Sequence, residues 1–436
     1  MKKISSEVII VGAGAAGCYL SHLLSKKKIP HIIVTDVTER LSYNLSHKID
    51  DEGAAEVSSV RTVHGIGGGT NLWGGGLVEL HQNDFQHEYS FGSEKIFNRL
   101  KDNYHLAWEF FGLDRVQLLQ NSKIDEDICV VQKEPLNFAD LVSNKSIIHG
   151  SIIDYECIVD NQLSTVTVQS DDETFLIQGN KFVLCAGTLG NLKILCKFLT
   201  SRNKAYVDEL KTGIYTHPKA TVRLKKFPAN FRLFERSIIN DVKIYIHKVL
   251  ILSGRRDHAI RNENVFVEIF DRLLSLNMSI WFLNFFAVFK NILRYLYNVN
   301  LSFMKIGKYN IFKVYIKSVK PDYIWNYDVT HDEVNLHHIG DTERQLKDLN
   351  TLKYENAEFD EIQIRNVTLA HTHYFGGLKV CDDKSSFISE FGRLECFANI
   401  WLNGPVILNA TGYANPILSI LALTHVVFED ICDNKP

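Results

Sequence analysis

The chain lacks a charge excess of either sign: 48 Lys and Arg stand against 51 Asp and Glu in 436 residues, a formal net charge of -3. So even a balance offers no general attraction to nucleic acid, and any basic behaviour has to be local. Paired cysteines are also missing. The eight cysteines are scattered with no C-x-x-C pair and no metal-finger spacing, so they read as reduced and mostly structural. No apolar run reaches the about 20 residues that a membrane-spanning helix needs. Lys2 and Lys3 run almost at once into an apolar strand pattern, leaving no room for a cleavable leader, and a cytoplasmic location is expected. Internal repeats and low-complexity tracts are absent too, and a chain of this length is expected to divide into two or three domains.

What is present begins with glycine. Gly12-Ala13-Gly14-Ala15-Ala16-Gly17 follows the apolar run Val8-Ile9-Ile10-Val11 and precedes the helical pattern Cys18-Tyr19-Leu20-Ser21-His22-Leu23-Leu24. Strand, glycine turn and helix in that order make a pocket for a dinucleotide pyrophosphate. Gly12 allows the tight turn, Gly14 lets backbone approach the phosphates, and Gly17 lets helix pack on strand, so the helix N-terminus faces the anion. A second apolar run, His31-Ile32-Ile33-Val34-Thr35, ends in Asp36, about 20 residues past the glycines, where a carboxylate can hold a ribose hydroxyl. The pattern alone does not separate FAD from NAD.

A second glycine-rich stretch, Val63 to Gly76, holds an embedded Trp73, which favours a loop that hugs a ligand over a flexible linker. Leu80 to Gln120 reads as helical, with Tyr104, Trp108 and Phe111 on one buried stripe. From Ser151 to Gln178 alternation predicts a small antiparallel meander, leading into the strand Lys181-Phe182-Val183-Leu184 and a helix carrying Leu192, Ile194 and Leu195. Strand-like pieces follow at 220–224, 265–269 and 312–316, then a polar helix over 341–355 and a strand over 361–364.

Five separated motifs now fall in one order: Gly12 to Gly17, Gly67 to Gly76, Cys185 to Gly190, His217-Pro218, and a C-terminal pair. That pair is His373-Tyr374-Phe375-Gly376-Gly377 and, about forty residues on, Ala414-Asn415-Pro416. Together they resemble the glucose-methanol-choline family of FAD-dependent oxidoreductases, nearest to members that use a His with an Asn, as cholesterol oxidase, choline oxidase and pyranose oxidase do. The likeness covers both ends of the chain and fades between about residues 220 and 363. It implies an α/β fold. A Rossmann-like FAD-binding domain is built from both chain ends (1–80, 145–215 and 365–436), and a second substrate domain containing an antiparallel sheet takes 81–144 and 216–364. It also implies that Gly68, Gly69, Asn71, Trp73, Ala186, Gly187, Asn409 and Ala410 join Gly12, Gly14, Gly17 and Asp36 around the cofactor. The chain departs from many members in following Gly376 with Gly377, Leu378, Lys379, Val380 and Cys381 rather than with Thr and Arg-Met-Gly. Where some relatives carry a His bonded to the flavin, this chain has Leu72, which implies non-covalent FAD.

The chemistry follows from the residue types. Oxidising an alcohol at a flavin removes the hydroxyl proton while hydride leaves the same carbon for the flavin N5. A neutral imidazole suits the first task, and general-base help is worth about 10² to 10⁴ in rate. His373 is the candidate base, with His371 as its rival on the same strand face. Asn415 would hold the substrate oxygen. A metal reading of the His-x-His pair lacks a third ligand at matching spacing, so no metal is expected. The implied substrate is a small-molecule alcohol, by analogy a sugar or polyol, and no electron acceptor can be named. Two alternatives stay open: a lyase or isomerase on the same scaffold, and a binding protein that retains FAD.

One segment stands apart. Residues 273–320 contain no Asp or Glu, yet include Lys290, Arg294, Lys305, Lys308, Lys313, Lys317 and Lys320, and begin with the aromatic cluster Trp281, Phe282, Phe285, Phe286 and Phe289. It is either a buried helix pair of the substrate domain or an interfacial surface in peripheral contact with anionic lipid.

Overall fold

The computed structural model describes residues 1–36, 42–44, 49–50, 62–72, 75–85, 93–119, 126–132, 136–142, 147–158, 162–171, 173–200, 208, 210–216, 219–224, 234–239, 242–252, 258–261, 310–316, 321–339, 373–380, 388–410 and 416–433. The strand expected at 265–269, the helix at 341–355, the strand at 361–364 and the aromatic cluster of the basic segment lie outside them, as do Trp73, His217, Pro218, His371 and Asn415.

The central sheet contains β1 (Lys2–Val11), β2 (His31–Thr35), β3 (Ile147–His149), β4 (Ser151–Ile158), β5 (Gln162–Gln169) and β6 (Thr174–Leu184), in the order β3-β2-β1-β6-β5-β4. The strands β3, β2, β1 and β6 are parallel, with Val11 level with Val34 on one side and Leu184 on the other. Val8, Ile9 and Ile10 are fully buried, as a continuous apolar run must be when helices cover both faces of a parallel sheet. The expected meander is β4, β5 and β6, paired antiparallel.

The C-terminal part of the chain closes this sheet. Along one edge of β6, β5 pairs with its first half (174–178) and the strand Ile400–Leu402 pairs parallel with its last three residues. Asn399 stitches the junction. Its Oδ1 accepts from the Leu163 N–H (2.9 Å), and its Nδ2 donates to the carbonyls of Leu163 (2.7 Å) and Asn180 (2.9 Å).

Four helices pack on the sheet or near it: α1 (Ala15–Lys26), α2 (Ser93–Phe110), α3 (Gly187–Thr200) and α4 (Ile417–Asp433). The first half of α4 carries no charged residue, and it is buried all round from Ile417 to Thr424. The stripe Tyr104, Trp108 and Phe111 is buried as expected. Its helix, α2, lies within the stretch assigned to the substrate domain, yet it packs along α4: the Tyr104 hydroxyl bonds Ser419 Oγ at 2.7 Å and accepts the Leu80 N–H at 3.1 Å.

A second sheet holds β7 (Lys211–Tyr215), β8 (Tyr323–Asp328), β9 (Glu333–His338) and β10 (Phe375–Leu378) in the order β10-β7-β8-β9, with Ile49–Asp50 beside β9. A third, wholly antiparallel sheet takes in Gly76–Leu77, Glu126–Gln132, Lys219–Leu224, Phe234–Ile239, Val242–Leu252, His258–Arg261 and Asn310–Ile316. The expected strands at 220–224 and 312–316 are members of it and pair with each other.

Where α1 meets α4, the Tyr19 hydroxyl bonds His425 Nε2 at 2.8 Å. Burial, reinforced by His105 and Lys26, lowers the His425 imidazole from 6.5 to about 4. The folded protein therefore holds this ring neutral, while the unfolded chain takes up a proton below about 6.5. Stability is expected to fall as the pH drops from about 6.5 towards about 4, as measured by urea unfolding across that window. In His425→Gln that component of the pH dependence should be gone.

Candidate active site

The carboxyl ends of β1, β2 and β6 reach one level, and three backbone turns meet there. Gly12 leaves β1 with φ +105° and donates its N–H to the Val34 carbonyl (2.7 Å). A Cβ on Gly12 would sit 2.6 Å from Ala186 N and 2.7 Å from Ala186 Cα, so the turn after β6 rests directly on the turn after β1. A Cβ on Gly17 would lie 2.0 Å from the Gly12 carbonyl oxygen, which shows how closely α1 packs on the strand it follows. Gly14 is the extended N-cap of α1. No side chain caps this helix end, and no acidic residue occupies its first turn. Its leading N–H groups thus form a donor set with no competing anion of its own.

The second glycine loop docks on the first. Gly67 N–H donates to the Ala13 carbonyl (2.7 Å), Gly67 forms a bridge to Gly14, and a Cβ on Gly68 would come within 3.1 Å of Gly14 Cα. Within the stretch read as a ligand-hugging loop, residues Gly68–Leu72 form a short 3-10 turn. It is braced from inside, because Asn71 Nδ2 donates to the Ile66 carbonyl (2.9 Å). Gly69 and Gly187 both face open space, with nothing within 4 Å of an added Cβ. At the start of α3, Asn191 Oδ1 accepts the Ala186 N–H (2.8 Å) and Gly187 takes φ +71°. Asp36 is the exposed residue after β2, at the same end of the sheet. Gly12, Gly14, Gly17, Gly68, Gly69, Asn71, Ala186 and Gly187 are thus brought together.

The strand β10 starts two residues after the partly exposed His373. Its backbone is held by side chains from four other elements. Thr188 Oγ1 donates to the Tyr374 carbonyl (2.6 Å), Trp325 Nε1 to the Gly377 carbonyl (2.9 Å), and Asn409 Nδ2 to the Leu378 carbonyl (2.8 Å), while Thr212 Oγ1 accepts the Gly377 N–H (3.1 Å). Thr212 in turn donates to Asn409 Oδ1 (3.0 Å). Gly376 has no room for a side chain, since its Cβ would lie 2.6 Å from that same Oδ1. Asn409 and Ala410 are buried, and the Asn409 carboxamide braces β10 against β7.

Electrostatics narrows the chemistry. Burial pushes the Cys18 thiol up to about 12 and raises that of Cys185, so neither supplies a thiolate near the glycine turn. Burial, then the neighbouring Tyr323, raises the Tyr374 phenol, which stays protonated. Among the described residues no group of His, Cys, Asp and Glu is arranged to hold a metal ion. Two residues before the clamped strand lies His373, whose imidazole is the side-chain type most often used as a general base.

No protein-family model matches the chain, and no curated protein matches it by sequence. Solved structures do match in shape. A formate oxidase variant from Aspergillus oryzae RIB40, made to follow FAD modification, superimposes with a TM-score of 0.58 at 12% identity, covering 99% of this chain and 98% of that one. Pyridoxine 4-oxidase from Mesorbium loti gives a TM-score of 0.54 at 11% identity, covering 99% and 100%. The chain has the fold of these two oxidases. Within that fold the clamps on β10 went unseen in the sequence. Thr188 and Thr212 look like ordinary helix-start and strand residues, but the alternation Tyr323, Trp325, Tyr327 is a legible sign that β8 turns one aromatic face inward.

Gly17→Val places a side chain against the Gly12 backbone, which cannot step aside, and is expected to lower stability by about 3 kcal/mol in chemical denaturation. Gly69→Ala meets nothing and should stay within about 0.5 kcal/mol of the parent.

Proposed function

We propose that this protein is an FAD-dependent oxidoreductase that oxidises an alcohol group of a small molecule. The observation that carries this reading is the convergence of three close-packed backbone turns at an uncapped helix N-terminus. The fit to FAD rests on that donor set and on the open space at Gly69 and Gly187. In this reading the backbone of Gly12, Gly14, Gly17, Gly68, Gly69, Ala186 and Gly187 holds the diphosphate and its surroundings, Asp36 takes a ribose hydroxyl, and Asn71, Trp73, Asn409 and Ala410 complete the wall. Leu72, in place of a histidine, supports non-covalent binding. Bound FAD would supply the two-electron acceptor for hydride leaving the substrate carbon. His373 removes the hydroxyl proton through a neutral imidazole, and Asn415 fixes the substrate oxygen by a hydrogen bond. The similar structures are oxidases of formate and of pyridoxine, which supports a small-molecule substrate. A sugar or polyol is our choice of class, by analogy with the sugar-oxidising members that the motifs resemble.

Purified protein should be yellow and should bleach anaerobically with a member of a panel of sugars and polyols. Yellow protein that bleaches with none of them would favour the FAD-retaining binding protein, and product without net oxidation the lyase or isomerase. His373→Ala is expected to keep its flavin absorbance while reduction slows by about 10² to 10⁴. Unchanged reduction in that variant removes His373 from the role of base.

The charge asymmetry of 273–320 supports peripheral contact of a cytoplasmic protein with anionic lipid. Among the described residues no helix is long and apolar enough to cross a membrane. Co-sedimentation with phosphatidylserine vesicles, falling as salt rises, is the expected result. A protein that stays in the supernatant at low salt has that segment buried.

A further inference from the structure

Asp322 stands immediately before β8 and is 1% exposed. A carboxylate so deep is costly unless its oxygens are filled. Its Oδ2 accepts two bonds from one residue, Thr216: the backbone N–H at 2.7 Å and Oγ1 at 3.0 Å. Thr216 is itself 1% exposed. The backbone of Asp322 is engaged as well. Its N–H donates to the Ile214 carbonyl (2.9 Å) and its carbonyl accepts the Ile339 N–H (2.9 Å). Asp322 therefore joins the end of β7 to the start of β8 through side chain and main chain together.

The register gives this knot its meaning. The strands β7 and β10 run antiparallel with Ile214 opposite Gly376 and Tyr215 opposite Phe375. One residue beyond that last pair stand Thr216 and, on the other chain segment, Tyr374, the neighbour of His373. The clamps from Thr188, Trp325, Thr212 and Asn409 hold β10 from Tyr374 to Leu378. None of them fixes the end of β7 against which the His373 end of β10 is aligned. Asp322 does.

We propose that Asp322 is a positioning residue for His373, setting the depth of the imidazole by pinning Thr216 at the end of the strand on which β10 is templated. The inference rests on the oxidoreductase reading above. It assigns Asp322 no contact with substrate or cofactor.

Asp322→Ala removes both bonds to Thr216. At temperatures where the variant stays folded, it is expected to keep its flavin absorbance and its KM while anaerobic flavin reduction slows roughly 10- to 100-fold, the scale of a small misplacement of a reacting group. Asp322→Asn keeps a carbonyl oxygen that can accept from Thr216 and should recover most of the rate. A second reading needs no turnover. The His373 imidazole resonance, assigned by its absence in His373→Ala, should move in Asp322→Ala and return in Asp322→Asn. If Asp322→Ala does not fold, Thr216→Val, which deletes only the Oγ1 bond, carries the test with a loss of a few fold. An unmoved resonance with full reduction rate in folded Asp322→Ala, or in Thr216→Val in its place, overturns the proposal. Should His373→Ala reduce normally, the assignment of His373 as base, on which this proposal rests, has failed. If that variant is inactive while Asp322→Ala is fully active, only the role of Asp322 falls.

Discussion

Contact between backbones, without side chains between them, is the constraint on which the rest of this structure depends. At Gly12 the turn after β1 touches the Ala186 backbone, and at Gly17 helix α1 touches the Gly12 carbonyl. A methyl group at either place would separate the elements. Because nothing intervenes, the carboxyl ends of β1 and β6 lie side by side, and the start of α1 opens onto the crevice that parallel sheets leave at such a point. The second glycine loop then adds to the first rather than covering it, with Gly67 bonded to Ala13 and Gly68 close to Gly14.

Around that contact the protein uses buried side-chain amides and hydroxyls as braces for backbone. Asn399 joins β5 and the end of the chain at the edge of β6, and Asn409 joins β10 to β7. Thr188, at the first turn of α3, reaches the carbonyl beside His373. Each such group is buried with its partner present, the condition under which a polar interior stabilises and orders a fold. The consequence for function is a strand whose backbone is fixed by hydrogen bonds from other parts of the chain. That is the setting the proposed role of His373 requires, since the distance of a proton-transfer group from the reacting atom decides its value.

The two chain ends meet in one sheet for a reason that can be stated locally. After β5 leaves the edge of β6, its last residues would be an unpaired edge, and Ile400–Leu402 fills it. The same short strand carries Trp401, whose indole donates to Asp430 on α4 (2.7 Å), so that the last helix is tied to the first sheet. Buried all round from Ile417 to Thr424, α4 then packs on α1 and α2. This explains how α2, a helix from the first third of the sequence, comes to rest on the last helix of the chain.

Legibility in the sequence followed the range of the interaction. The opening strand, turn and helix, the meander from 151 to 184 and the helix after Gly187 could be read directly, because periodicity and glycine placement act over a few residues. The gathering of Gly12, Gly68 and Gly187 was suggested by motif order, since each glycine marks a place where a Cβ is unwelcome, though not what lies opposite. What only the tertiary structure decided were the partners: Ala186 against Gly12, Trp325 under Gly377, Thr188 on Tyr374 and Asp322 on Thr216. These bonds join residues 106 apart in one case and 186 in another, and they depend on strand register and chain reversal. No local pattern encodes such a separation, because a threonine or an aspartate looks the same in sequence whether it faces water or a carbonyl from the other end of the chain.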